Sequence, residues 1–252
     1  MRFASLGSGS EGNAWLVESG ETCLMVDCGF SVNELARRFT AFGMTAQDLT
    51  AIVVTHEHSD HLSGVARLAK RFNLPVYASF GTLSFCREDI PESLCHELFS
   101  DHPVIIGDIQ VNPFLVPHDA REPLQFVFDD SKKRLGIVTD VGHVTQHMIH
   151  CLQNLDALAL ESNHDETLLS EGSYPQPLKV RVKGEFGHLS NAQAVDLLKE
   201  LNVAKLSSVV AAHLSQANNR PELVYDEFMS VVQDEERFAI ATQQEGLAWR
   251  PI

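Results

Sequence analysis

The chain has 252 residues and a net charge of −15 with histidine neutral; 44% of residues are hydrophobic and 21% charged. This length can bury a large core without disulfides or a structural metal, and the composition is ordinary for a globular protein. The acidic balance argues against coating long nucleic acids, which needs many Lys and Arg contacts to phosphate. It leaves phosphodiester cleavage open, because bound cations offset local negative charge.

The first thirty residues read as three short strands, 2–6, 14–18 and 22–27, around a Gly/Ser-rich turn at 7–13. Residues 31–41 place Val32, Leu35, Ala36 and Phe39 at helical spacing. A buried strand is expected at 51–55 and a helix at 62–72. A strand at 75–78 and a helix near 82–89 follow. Strands at 104–106, 109–113, 125–129 and 134–139 come next, then a helix at 145–152 and a strand at 157–161. Residues 191–201 form an amphipathic helix, 207–212 a strand and 221–233 a helix. The segment 170–184, with two Pro and two Gly, reads as a loop or short insertion near the site. Alternating strands and single helices, with hairpin-like stretches at 104–139, predict two sheets flanked by helices.

The five cysteines, Cys23, Cys28, Cys86, Cys95 and Cys151, are odd in number and lack CxxC spacing. They suggest buried free thiols rather than a disulfide framework or zinc ribbon. The N-terminus lacks an apolar signal core and no apolar run of about 18 residues occurs, so a cytoplasmic, membrane-free protein is expected.

His56, His58, Asp60 and His61 fall within six residues after the apolar strand AIVVT. In an extended turn, residues two apart point to one side, so His56 and His58 can converge on one ion while Asp60 and His61 face a second position. Imidazole and carboxylate donors suit Zn²⁺, and also Mn²⁺ or Fe²⁺. Partners are sought at strand ends, where a rigid element carries the ligand. His118 follows FLVP, Asp140 follows LGIVT, and His213 follows SSVVAA. Among twelve histidines each of these signals is weak alone, and their order carries the weight.

THEHSDHLSG at 55–64 resembles the HxHxDH signature of the metallo-β-lactamase superfamily. LGSGSEGNAWLVE near the N-terminus, VDCG at 26–29, PHDA at 117–120, VTDVGH at 138–143 and AHLS at 212–215 match its other landmarks in the same order. The small YycJ-like exonucleases of this fold are the subgroup it resembles, with ribonuclease Z and ribonuclease J as wider relatives. The resemblance implies one α/β (α+β) domain over 1–252, a four-layer αββα sandwich with two metal ions at one edge of the sheets. It implies that His56, His58 and His118 hold one ion, that Asp60, His61 and His213 hold the other, and that Asp140 bridges them. Asp27 would orient the histidine loop from behind. His58 stands where the di-iron oxygen-reducing branch has Glu, and no insertion of ribonuclease J size separates Asp140 from His213.

Glu161 ends the strand at 157–161, and His188 opens the helix at 191–201 in a GHLS turn. By the same resemblance they pair, and His188 protonates the leaving oxygen while a hydroxide shared by the ions attacks, with Asp60 orienting it. The alternative is that Ser190 or Asn191 caps the helix and His188 lies on the surface. His164 and His143 are candidates for substrate contact. Lys179, Arg181 and Lys183 alternate and, in an extended ribbon, would face one way toward phosphates; a solvated edge strand fits the same pattern. Asn219 and Arg220 offer further donors. The expected activity is therefore a dinuclear-metal phosphodiesterase or nuclease acting on nucleic acid or a nucleotide. A thioester hydrolase of the glyoxalase II kind is the alternative, although the C-terminal helices of that branch have little room here. Oligomeric state is not set by the sequence, and a homodimer is compatible with it.

Overall fold

A computed structural model describes residues 1–86 and 88–252. Its strands are β1 (Arg2–Gly7), β2 (Ala14–Ser19), β3 (Thr22–Val26), β4 (Ala51–Val53), β5 (Val76–Ser79), β6 (Cys95–Leu98) and β7 (Val104–Ile106). They continue as β8 (Ile109–Leu115), β9 (Leu124–Asp129), β10 (Arg134–Val138), β11 (Ala157–Glu161), β12 (Ser208–Ala212), β13 (Phe238–Ile240) and β14 (Leu247–Pro251). The helices are α1 (Val32–Ala41), α2 (Ser59–Leu62), α3 (Val65–Phe72), α4 (Phe80–Cys86), α5 (Gln146–Cys151), α6 (Glu166–Glu171), α7 (Gln176–Lys183), α8 (Asn191–Lys199) and α9 (Pro221–Val232).

Two seven-stranded sheets result, in the orders β14-β1-β2-β3-β4-β5-β6 and β13-β12-β11-β10-β9-β8-β7. Side-chain alternation divides their contacts. On β3, Leu24 and Val26 join Trp15, Phe126 and Phe128 between the sheets, while Cys23 and Met25 pack with Leu35, Phe39 and Leu68 under the helices of the first sheet. On β12, Val210 and Ala212 face the other sheet, and Val209 and Ala211 meet Leu198, Val224 and Phe228 of α8 and α9. The outcome is the expected helix–sheet–sheet–helix sandwich. Burial on both faces explains why inner strands such as AIV read as unbroken apolar runs.

Strand direction places the site. β3, β4 and β5 are parallel, as are β10, β11 and β12. β8 is antiparallel to β9 and β9 to β10, so β8 runs with β10. The carboxyl ends of β3 and β4 lie together on one sheet, and those of β8, β10, β11 and β12 on the other. Asp27, His56, His118, Asp140, Glu161 and His213 stand at or just beyond those ends.

Three expectations need correction. The helix at 62–72 is two pieces, because Gly64 donates its N–H to the Cys28 carbonyl (2.8 Å) and a Cβ there would strike the Phe30 carbonyl. Segment 170–184 is mainly helical. Asp165 caps α6 by accepting from Leu168 N (2.8 Å), and the prolines near the start of α7 occupy positions where no helical N–H is required. Lys179, Arg181 and Lys183 therefore lie on a helix, where residues two apart diverge, and not on an extended ribbon. Of the helix expected near 82–89, α4 covers the part to Cys86, residue 87 lies outside the described residues, and 88–89 form a turn. Strands β6, β13 and β14 carry no alternating signal strong enough to be read. Among the described residues no helix is long and apolar enough to cross a membrane.

Candidate metal centre

Two histidine-rich triads meet at the sheet ends. His56, His58 and His118 offer ligand atoms within 4.8 Å of one another, as do Asp60, His61 and His213, and Asp140 groups with His56 and His61. Their hydrogen bonds fix which ring nitrogen faces the pocket. His61 Nδ1 donates to Asp27 Oδ2 (2.8 Å) and His118 Nδ1 donates to the Gly187 carbonyl (3.0 Å). His213 Nδ1 donates to Glu161 Oε1 (3.2 Å). The Thr55 hydroxyl donates to Asp27 Oδ2 (2.9 Å) and accepts from His56 Nδ1 (2.9 Å). All four rings thus turn Nε2 inward. His58 is reversed, with Nε2 donating to the Asp119 carbonyl (3.2 Å) and Nδ1 facing His118 Nε2 at 3.3 Å.

The backbone enforces this convergence. Asp27, Asp140 and His213 have φ of 60°, 56° and 54°. Non-glycine residues in the left-handed region cost about 1–3 kcal/mol each and persist only where the surroundings hold them. Here each turns the chain just after a strand. Ser8 Oγ accepts from His213 N (2.9 Å), and Thr55 N and Oγ both donate to Asp27.

The residues fit divalent cations. Buried His56 Nε2, His213 Nε2 and Asp140 Oδ2 have no hydrogen-bond partner. His61 Nε2 and Asp140 Oδ2 lie 3.0 Å apart, and with the Nδ1 proton given to Asp27, two electron pairs face each other unless a positive charge lies between them. The electrostatics agree. Burial would neutralise Asp140, yet His213 and His61 hold it well below the usual carboxylate range. Burial likewise opposes charge on His213, yet Asp140, Asp60 and Glu161 push it up to about 10. The acids favour positive charge at this point.

Beside the triads lies the second pair. Glu161 is buried and fully engaged. Oε2 accepts from Val141 N (2.8 Å) and Leu189 N (3.1 Å), and Oε1 accepts from His188 Nδ1 (2.8 Å) and His213 Nδ1. Burial raises its pKa, but His188 and His213 together outweigh burial and bring it to about 2. His188 is raised in turn, with Glu161 overcoming its burial. Ser190 does cap α8 through a capping box, and this coexists with the pairing of His188.

A cavity of about 340 Å³ opens over this floor, lined by Asp60, Asp140, His188 and His213 below and by Tyr174, Leu178 and Arg181 from α7 and the turn before it. Arg181 is held by Asp119 (2.6 Å). The other candidate contacts lie elsewhere. Lys179 donates to the Ser170 carbonyl (2.7 Å), and with Lys183 it lines a separate cavity. Asn219 is buried and spends its side chain on Ser162 and Asn191. Arg220 sits at the start of α9 and does not line the cavity. His143 is tied to the Glu185 carbonyl (2.8 Å), and His164 is only 1% exposed. Sequence reasoning missed Asn13, whose amide reaches His61 Nε2 (3.1 Å) and Asp60 Oδ2 (3.3 Å). It also missed Thr55, Tyr174 and the link from Glu161 to His213. GSEGN at 9–13 was the one visible hint for Asn13.

A sandwich of two helix-covered sheets with paired His/Asp triads at the strand ends defines the metallo-hydrolase class. The chain belongs to the β-lactamase superfamily, whose domain model matches residues 22–213. It is 35% identical over 231 residues to exodeoxyribonuclease YycJ of Bacillus anthracis, covering 88% of this chain and 86% of that protein. It is 32% identical over 230 residues to exodeoxyribonuclease WalJ of Streptococcus pneumoniae, covering 89% and 86%. The fold also matches the metallo-β-lactamase fold protein YhfI of Bacillus subtilis (TM-score 0.75, 18% identity, 99% of each chain). Human tRNase Z, short form, shares it too (TM-score 0.70, 16% identity, 100% and 99%). The protein is a hydrolase, and its family implies divalent metals.

Proposed function

We propose that this hydrolase uses two divalent cations, Zn²⁺ or Mn²⁺, to cleave phosphodiester bonds at the ends of DNA. His56, His58 and His118 would hold one cation, Asp60, His61 and His213 the other, and Asp140 both. Such a pair supplies Lewis acidity, lowering the pKa of water and neutralising charge on phosphate oxygens.

The observation that carries the reading is the 2.8 Å Glu161–His188 pair at the edge of the triads. Glu161 holds the Nδ1–H of His188 and favours the protonated ring, which leaves Nε2–H as a donor to the cavity. The proton passes from Nε2 to the departing oxygen, and the neutral ring keeps its bond to Glu161. An alkoxide leaving from a nucleotide needs that proton, whereas a thiolate leaving from a thioester barely does. The Asp60 side chain, 20% exposed and lining the cavity, is placed to orient the attacking water. Arg181, oriented by Asp119, sits at the rim where a phosphate would enter. The two exodeoxyribonuclease relatives, similar over most of the chain, support DNA as the polymer.

The test is a substrate panel on metal-loaded protein: bis-p-nitrophenyl phosphate, an end-labelled DNA duplex and a glutathione thioester. Degradation of the duplex from its ends is expected. His188→Ala should lose about 10²–10⁴-fold on DNA and far less on the nitrophenyl ester, whose leaving group needs no proton. Turnover of the thioester alone would overturn the proposal.

A further inference from the structure

Away from this pocket, three unlike donors meet where the chain crosses between the sheets. Residues 99–103 join β6, at the edge of one sheet, to β7, at the edge of the other, and they lie against α5. His147 Nε2 is 3.2 Å from Asp101 Oδ1 and 3.7 Å from Cys151 Sγ. His147 and Cys151 are four residues apart on α5, so their side chains share a face. Ser100 Oγ donates to Asp101 Oδ2 (3.0 Å), which leaves Oδ1 for the histidine. Asp101 is itself pinned to the second sheet by its N–H to the Pro113 carbonyl (2.9 Å).

One ring nitrogen makes one hydrogen bond at a time. If Nε2–H donates to Asp101 it offers no lone pair to the thiol, and if it accepts from the thiol it has no proton for the carboxylate. Both partners nevertheless converge on it, and the three ligand atoms all lie within 4.8 Å of one another. A cation at their centre satisfies all three. Tetrahedral zinc, with bonds of about 2.0–2.1 Å to nitrogen or oxygen and about 2.3 Å to sulfur, sets ligand-to-ligand separations of about 3.3–3.6 Å. The observed separations bracket that range. The donor set combines imidazole, carboxylate and thiolate, which selects a borderline cation over Mg²⁺ or Ca²⁺. Asp101 and Cys151 also border a cavity of about 380 Å³.

We propose that Asp101, His147 and Cys151 form a further divalent-cation site of the zinc class, separate from the catalytic pair. It staples the crossover between the sheets to α5. Binding displaces the thiol proton of Cys151 and forms a sulfur–metal bond, with no change in oxidation state. The site stands independently of the hydrolytic reading.

Cobalt distinguishes it from the catalytic centre, whose ligands are imidazoles and carboxylates only. Titrating the full chain with Co²⁺ should produce a thiolate-to-cobalt charge-transfer band that saturates at one thiolate-bound ion per chain. The band should vanish in Cys151→Ser and persist in His118→Ala. In parallel, Zn²⁺ should slow alkylation of Cys151 by N-ethylmaleimide, read on its peptide by mass spectrometry, at least tenfold. Asp101→Asn and His147→Ala should each abolish that protection, and Cys151→Ser should keep full hydrolytic activity. Absence of the band, its survival in Cys151→Ser, or equal alkylation with and without Zn²⁺ would overturn the site.

Discussion

Replacing Glu161 by Gln keeps the volume and removes one acceptor. The carboxylate receives four N–H groups, two from the backbone of Val141 and Leu189 and two from His188 and His213. An amide can serve only one pair. If its oxygen stays with the backbone, its NH₂ faces two imidazole N–H groups. Relief then requires both rings to shift their proton to Nε2, so that His213 points a proton where it would bind metal and His188 loses its charged form. Two bonds to a charged group, at about 1.5–3 kcal/mol each, bound the loss at about 6 kcal/mol. With the backbone pair retained, about 2–4 kcal/mol of destabilisation is expected, near the cost of breaking a buried ion pair. Loss of this orienting contact should weaken metal binding about 10–100-fold, and DNA cleavage at saturating metal should fall about 10²–10⁴-fold. Chemical denaturation, metal competition with a chelator and leaving-group comparison read these separately. A Glu161→Gln protein that binds metal as before and shows no extra loss on DNA over nitrophenyl esters would refute the reasoning.

Asp27→Asn should lower metal affinity about 10–100-fold while leaving the fold intact, because the amide can still accept from Thr55 but no longer fixes His61 as a carboxylate does. Chelator competition reads this, and unchanged affinity would count against the role. Gly29→Ala would put a methyl group into the Asp60 carbonyl. Overpacking of that kind costs about 1–3 kcal/mol or more, and here it should also reduce activity by displacing Asp60, so a variant of normal stability and rate contradicts the packing. Burial lowers His164 to about 4, below the unfolded value of about 6.5. The unfolded chain then binds more protons between those values, so stability rises with pH across that window and is lost as pH falls toward 4. From pH 7 to 5 the loss should be about 2 kcal/mol greater than in His164→Gln. Parallel slopes in urea titrations would dismiss this contribution.

The inner strands were legible because burial on both faces writes them as apolar runs, whereas the candidate ligands beyond the HxHxDH run were weak signals singly and were assembled through the family resemblance. Helix α1 announced itself through the helical spacing of Val32, Leu35, Ala36 and Phe39. What escaped had physical reasons. Pro175 and Pro177 look like helix breakers until they fall at a helix start, which disguised α7 and the diverging directions of Lys179 and Arg181. Edge strands β6 and β14 are short and half exposed, so no core imposes a period on them. Asn13 acts on His61 across 48 residues, a contact that only the tertiary fold creates. The pairing of Asp101 with His147 is of the same kind.

The most direct test is to strip metal from the Cys151→Ser protein, which lacks the proposed additional site, and to titrate Zn²⁺ or Mn²⁺ while following bound ions and end-labelled DNA together. Two equivalents should bind, with cleavage rising as the second fills, and Asp60→Ala should bind one ion tightly and lose at least a hundredfold in rate. Full cleavage with a single ion, or undiminished cleavage by Asp60→Ala, would contradict a paired centre.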